Sequence, residues 1–385
     1  MSKARSERGA LAVALLAGAL AGCEALIGAD FDVEPIPAGE GGAGGGTTTT
    51  SAATTSSTTG GGDGGGSTSS TGAVDCPTDA DSIAEGERMP WDVVVDDEFV
   101  YWSSPGIPAT SPDGEIRRRR KDGADDVKIL TGGQAQPNRL LVAGPWLYWT
   151  ATGTSDGDGA VRFMDRSTVD EVRTAADGLA IPIGLAADAM WVYFVDRRDV
   201  DVDGGLHMRA NRAALGATEH VPFAAVPRFP TMVAVGQGVL FGGSLETNET
   251  SVLWTVPLDG SQPVASRVNE TAARPDAGIT FGGGTFAVTS VAEGRIDLYN
   301  QYGNPVRAGD PNAFGAPADV AFADGWFYFA EYGGGTIWRM SATSAAPECV
   351  VTGQPAVNGV AADGERVYFT LHSEGGAVRS VPLPP

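Results

Sequence analysis

PADVAFADGWFYF, residues Pro317–Phe329, is the stretch whose reading decides the fold. A proline opens it, an apolar run follows, Asp324-Gly325 supplies a tight turn, and a second run ends in the aromatic pair Tyr328-Phe329. Short runs of this kind split by a turn dipeptide read as two antiparallel strands. The same order recurs along the chain. Prolines at Pro90, Pro137, Pro182, Pro230, Pro275, Pro317 and Pro355 are followed, about eleven residues on, by Tyr101-Trp102, Tyr148-Trp149, Tyr193-Phe194, Phe241, Phe286, Tyr328-Phe329 and Tyr368-Phe369. A period in the high thirties to high forties reads as an all-β fold with one four-stranded blade per repeat, a seven-bladed β-propeller. If the fifth repeat, with its poorly matching Phe286-Ala287-Val288, is an insertion, the count falls to six.

The phase of the repeats says where the ring closes. In the last repeat Val360-Ala361-Ala362 is the inner strand, Asp363–Arg366 the turn, Val367–Thr370 the second strand and Ala377–Val381 the third, with no room for a fourth before Pro385. Ser82–Gly86 stands before Pro90 as Cys349–Gly353 stands before Pro355, so it is an outer strand without a blade of its own. Added to the last three strands, it closes the ring and covers an open edge. The aromatic pairs, at one phase of every repeat, are expected to fill the wedges between blades. The acids Asp97, Asp188, Asp324 and Asp363 are expected to shape hairpin turns.

Outside this domain, taken as residues 75–385, the N-terminus reads as an export signal. Lys3, Arg5 and Arg8 precede an apolar run over residues 9–19, too short for a bilayer-spanning helix but suited to a signal-peptide core. The ending Leu20-Ala21-Gly22-Cys23 resembles the bacterial lipobox, which implies a signal peptide over residues 1–22 and a lipid on Cys23 that anchors the chain to a membrane. Glu24 in place of Asp implies, by the same resemblance, an outer-membrane lipoprotein on the periplasmic or cell-surface side. Residues 23–74 form a tether, because from about Gly39 to Gly72 the chain is almost wholly Gly, Thr and Ser, with nothing to bury against the entropy of ordering. About 35 such residues span roughly 30–35 Å. Of three cysteines, Cys76 and Cys349 remain as an intramolecular pair or as two free thiols. If paired, the long loop they close gives about 4–5 kcal/mol in the chain-entropy model.

Function is sought where the repeats differ. The connections from second to third strand are long in the first four repeats, at residues 103–114, 150–159, 195–205 and 242–250, and short at 331–335 and 371–376. One face of the disk is therefore built up on one side, and elaborated loops on a rigid scaffold are where binding resides. Asp199, Asp201 and Asp203, followed by Gly204, alternate as in the opening of an EF-hand-like loop, so a Ca²⁺ site is one reading and a solvated turn the other. Ala210 stands where the EF-hand's closing Glu belongs. Asp156 and Asp158 are a shorter relative. The run Arg117–Lys121 is the one concentration of positive charge in a chain of net charge −22. On a strand its members alternate between faces, so Arg117 and Arg119 offer a local anionic contact or pair with Asp122, Asp125 and Asp126, and the acidic total argues against a nucleic-acid partner.

Catalytic signatures are weak. Gly153–Gly157 matches G-x-S-x-G but lies between β-strands, where a nucleophile elbow does not form. His207, His220 and His372 lack zinc-binding spacing. The blade pattern, Pro317–Phe329 followed by Gly335–Met340, resembles exported bacterial propellers of the NHL, YVTN and TolB-like groups. That resemblance implies the fold over most of the domain and no catalytic residue. The expected function is a monomeric, cofactor-free binding or scaffold module that takes a protein, peptide or glycan on the loop face of its first four blades. The alternative is an extracytoplasmic lyase or hydrolase with a metal near the axis.

Overall fold

The computed structural model describes residues 76–106, 112–153, 157–169, 171–202, 205–245, 251–271, 277–343 and 346–384. The signal peptide expected at 1–22, the tether at 23–74, Cys23, Asp156 and Asp203 lie outside the described residues.

Seven four-stranded antiparallel sheets make up the fold. The first strand, β1 (Asp81–Arg88), belongs to the last blade. Blade one is β2 (Val93–Val95), β3 (Phe99–Ser104), β4 (Gly114–Arg120) and β5 (Lys128–Gln134). Blade two is β6 (Pro137–Ala143), β7 (Trp146–Ala151), β8 (Gly159–Asp165) and β9 (Arg173–Leu179). Blade three is β10 (Ile183–Ala187), β11 (Trp191–Val202), β12 (Gly205–Ala214) and β13 (His220–Val226). Blade four is β14 (Pro230–Gly236), β15 (Val239–Leu245), β16 (Ser251–Pro257) and β17 (Ser266–Thr271). Blade five is β18 (Ile279–Gly282), β19 (Thr285–Ser290), β20 (Arg295–Tyr299) and β21 (Pro305–Arg307). Blade six is β22 (Pro317–Ala323), β23 (Trp326–Glu331), β24 (Thr336–Ser341) and β25 (Glu348–Val351). Blade seven is β26 (Val357–Ala362), β27 (Arg366–Leu371) and β28 (Glu374–Pro382), completed by β1.

The first strands of neighbouring blades pack in sequence, and β26 packs back on β2, so the ring is closed. The closing strand is the expected one: Asp81 lies opposite Ser380 and Arg88 opposite Glu374. Ahead of β1 the chain lies against blade six. There Thr352 N–H donates to Pro77 O at 2.8 Å, the Gln354 amide donates to Thr78 O at 2.8 Å, and a disulfide joins Cys76 to Cys349 with Cα atoms 5.7 Å apart.

The aromatic pairs explain the inter-blade packing. Neighbours on a strand point to opposite faces, so each pair sends one ring forward and one back. Tyr148 packs with Phe194 of blade three, Tyr101 with Trp149 of blade two, Tyr328 with Phe369 of blade seven, and Tyr368 with Trp102 of blade one. All are at most 1 % exposed. The recurrent proline abuts the preceding blade: a Cβ on Gly159 would come 2.4 Å from Pro182 Cδ, so that strand must begin with glycine. The residue before the proline turns the chain inward at positive φ without being glycine, as at Gln136 (53°), Ile181 (51°) and Phe229 (51°). A β-branched Ile in this region is strained.

Register corrects the repeat reading in three places. Ala356 carries the positive φ of blade seven, and Val357, opposite Leu371, occupies the place of Pro317 opposite Glu331. Pro355 is therefore two residues out of phase. In blade five Ile279 opposes Val288, as Val320 opposes Phe329, so Ala287-Val288 holds the pair position and Phe286 precedes it. At the first hairpin Asp96, not Asp97, shapes the turn: its Oδ1 accepts the N–H groups of Glu98 and Phe99, and its Oδ2 accepts the Tyr101 hydroxyl at 2.8 Å. Asp188–Tyr193 and Asp363–Tyr368 repeat the device, and burial first, then the acid, pushes these three phenols up.

Candidate functional site

In each antiparallel blade, the start of the inner strand, the connection from second to third strand, and the connection from outer strand to the next inner strand share one end. Register shows which residues meet there at the axis. Val93, Leu140, Leu185, Val233, Ile279, Val320 and Val360 are equivalent by their partners on the second strand. The residues just before them are Asp92, Arg139, Gly184, Met232, Gly278, Asp319 and Gly359. Three of seven axial positions thus carry charge, and three carry no side chain.

The charged residues find one another. Arg139 Nη1 lies 3.2 Å from Asp319 Oδ1 and 3.7 Å from Asp92 Oδ1, and its Nη2 donates to Ala277 O at 2.6 Å. Asp92 Oδ2 accepts the N–H of Leu140 at 2.7 Å and its Oδ1 that of Val93 at 3.0 Å. Asp319 Oδ2 accepts the N–H of Val360 at 3.1 Å. One buried network therefore ties together blades one, two, five, six and seven. Glycine makes room for it: a Cβ on Gly278 would lie 3.0 Å from Asp319 Cα, and one on Gly359 3.0 Å from Asp92 Cα. Hydroxyls one residue past the pair position fix the backbone. Ser103, Thr150, Thr289 and Thr370 accept the N–H groups of Asp92, Arg139, Gly278 and Gly359 at 3.2, 3.1, 2.7 and 2.8 Å.

Burial pushes the Asp92 carboxyl up to about 7, with Arg139 opposing and Asp319 adding to the shift. Burial likewise holds His372 below the usual imidazole range. His372 follows β27 and meets Trp91 edge to face at 4.8 Å, next to the axial Asp92.

The residues singled out from sequence lie elsewhere. Residues 195–202 are not a loop but the extension of β11, paired with β12 as far as Val202 opposite Gly205. Asp199 falls in the register break between Asp196 and Val200 and reaches Arg228 Nη2 at 4.0 Å, while Asp201 lies opposite Leu206. Among the described residues no group of three or more His, Cys, Asp or Glu is placed to hold a metal. Asp158 is exposed on the connection between β7 and β8.

Arg117 and Arg119 serve closure. Arg117 bridges Glu87 on β1 at 3.0 Å and Glu115 at 2.6 Å, while Arg119 donates to Ile83 O on β1 at 2.6 Å and to Asp125 O at 2.9 Å. Lys121 reaches Asp363 of blade seven at 2.5 Å. Asp92, Arg139 and Asp319 were missed from sequence, although each stands two residues after a repeat proline, a position that is Gly184 or Met232 in other repeats.

No family model matches the chain, and no curated protein matches it by sequence. Solved structures do. Virginiamycin B lyase from Staphylococcus aureus superposes with a TM-score of 0.62 at 15 % identity, over 79 % of this chain and 99 % of that one. A streptogramin B lyase gives 0.59 at 14 %, over 79 % and 97 %. A chain of a mitotic checkpoint complex gives 0.57 at 12 %, over 80 % and 96 %. At such identities likeness extends to fold alone, and what the chain shares with these proteins is the β-propeller.

Proposed function

We propose that the protein is a membrane-anchored binding module that presents the loop face of blades one to four to a partner protein, peptide or glycan. The observation that carries this reading is the asymmetry of that face. Residues 105–113, 152–158 and 246–250 connect second to third strands in blades one, two and four, and blade three projects an extended hairpin instead. Blades five to seven make the same connection with residues 291–294, 332–335 and 372–373. Packing serves every blade alike, so the extra length of the second-to-third connections on this side answers to something outside the fold.

A lyase or hydrolase is the second reading, favoured by two carboxylates at the axis. Arg139 stands between them, 3.2 Å from Asp319 and 3.7 Å from Asp92, and offsets part of their charge where a metal would have to sit. Photocrosslinking in envelope extract tests the first reading: adducts are expected at residues 105–113, 152–158, 197–207 and 246–250. Adducts confined to the opposite face, or a stoichiometric transition metal in the purified domain, would overturn it.

A further inference from the structure

Where the outer parts of blades three and four meet, the outer end of the β11–β12 hairpin overhangs a cleft of about 270 Å³. Leu206 and His207 come from the hairpin, Pro227 and Arg228 from the connection between β13 and β14, and Ala265 and Arg267 from the start of blade four's outer strand. The two blades are stitched together beside it: Ala225 N–H donates to Pro263 O and Ala265 N–H to Ala225 O, both at 2.8 Å. The cleft is therefore part of a fixed frame.

Its chemistry is unlike that of the surface around it. In a chain of net charge −22 it is lined by two guanidiniums and an imidazole beside apolar Leu206, Pro227 and Ala265. Arg228 is the less committed of the two arginines. Its guanidinium lies over the Phe229 ring at 5.0 Å, its Nε is buried without an acceptor, and its contact with Asp199 spans 4.0 Å between side chains 42 % and 56 % exposed. An exposed pair that long contributes little, and the planar fork matches a carboxylate two bonds at a time. Leu206, 56 % exposed, supplies an apolar rim.

We infer that this cleft holds an acidic peptide segment of a partner protein, with one Asp or Glu carboxylate on Arg228 and an adjacent apolar side chain against Leu206 and Pro227. The inference rests on the loop-face reading and names its ligand chemistry. The acidic remainder of the surface repels the same segment elsewhere, which confines it to this spot.

The test is fluorescence anisotropy on the full chain, with a labelled hexapeptide of alternating leucine and glutamate and a counterpart carrying glutamine for glutamate. The glutamate peptide is expected to bind and the glutamine peptide to bind at least about tenfold more weakly, a difference of ~1.4 kcal/mol. Arg228→Gln should lose about tenfold, whereas Asp199→Asn, which removes the competing carboxylate, should gain severalfold. Arg173→Gln on β9 should change nothing, and matching melting temperatures would show all three variants folded. Equal binding of both peptides, or an unmoved affinity in Arg228→Gln, overturns the inference. So does displacement by inorganic phosphate as effective as by unlabelled peptide, which would mark a bare anion site. If crosslinks still map to the loop face in any of these cases, the cleft alone is wrong; crosslinks on the opposite face remove both readings.

Discussion

Asp92 shows how much one axial residue carries. It accepts two backbone N–H bonds, faces Arg139 and lies beside Asp319, yet it is 4 % exposed, and burial dominates its titration. Its folded pKa, near 7, is above the unfolded carboxyl's ordinary value of about 4. Between those values the folded state holds the extra proton, so unfolding releases it and stability falls as pH rises through the window. The expected contribution is a decline of up to ~1.4 kcal/mol per pH unit between about pH 4 and 7. Denaturant unfolding of the wild type and Asp92→Asn across that range checks it: the slope should be shallower in the variant, and identical slopes would refute the assignment. None of this is legible from Asp92 in sequence, because its burial and both charged neighbours come from other blades.

At the scale of elements, closure is where sequence and structure agree most closely and where the most bonds converge. The unmatched outer strand could be read from phase, since Ser82–Gly86 repeats a position without a blade. Its fastening could not. Arg117 and Arg119 look in sequence like a surface patch, but strand alternation aims both at β1, where Glu87 also accepts the Trp102 indole at 2.9 Å. The disulfide adds a covalent stitch between the segment before β1 and blade six. Cys76→Ser should lower stability by about 2–5 kcal/mol, seen as a drop in the thermal midpoint that reduction of the wild type reproduces. Deleting residues 76–88 should cost more, because β28 loses its outer partner and Arg117 and Arg119 lose their acceptors on β1. A deletion variant melting like the wild type would show that the ring does not depend on this strand. The hairpin of blade three is the opposite lesson: residues 195–202 read in sequence as part of a loop, and pairing of Val200, Asp201 and Val202 with His207, Leu206 and Gly205 makes them the end of a strand.

For the whole molecule, the proposed anchor and the proposed face belong together. In that proposal the lipid on Cys23 is the attachment and residues 23–74 link it to the propeller that carries the face. Cys23→Ala is expected to move the protein from the membrane fraction to the soluble fraction on ultracentrifugation, and a variant that still sediments with membranes would remove the anchor from the proposal. The sequence by itself determined the repeat and the strand that closes the ring, and it narrowed the count to seven or six blades; the fifth sheet, β18–β21, makes it seven. The repeat and the closing strand depend on local alternation and turn chemistry, which Pro317–Phe329 writes out in full and the other repeats in part. Only the tertiary structure decided which residues share the axis and which cations are spent on closure. It also decided that Leu206, Arg228 and Arg267 line one cleft. The physical reason is that a ring brings together residues one or several blades apart in sequence, so Asp92, Arg139 and Asp319 become neighbours only once the last blade has found the first strand.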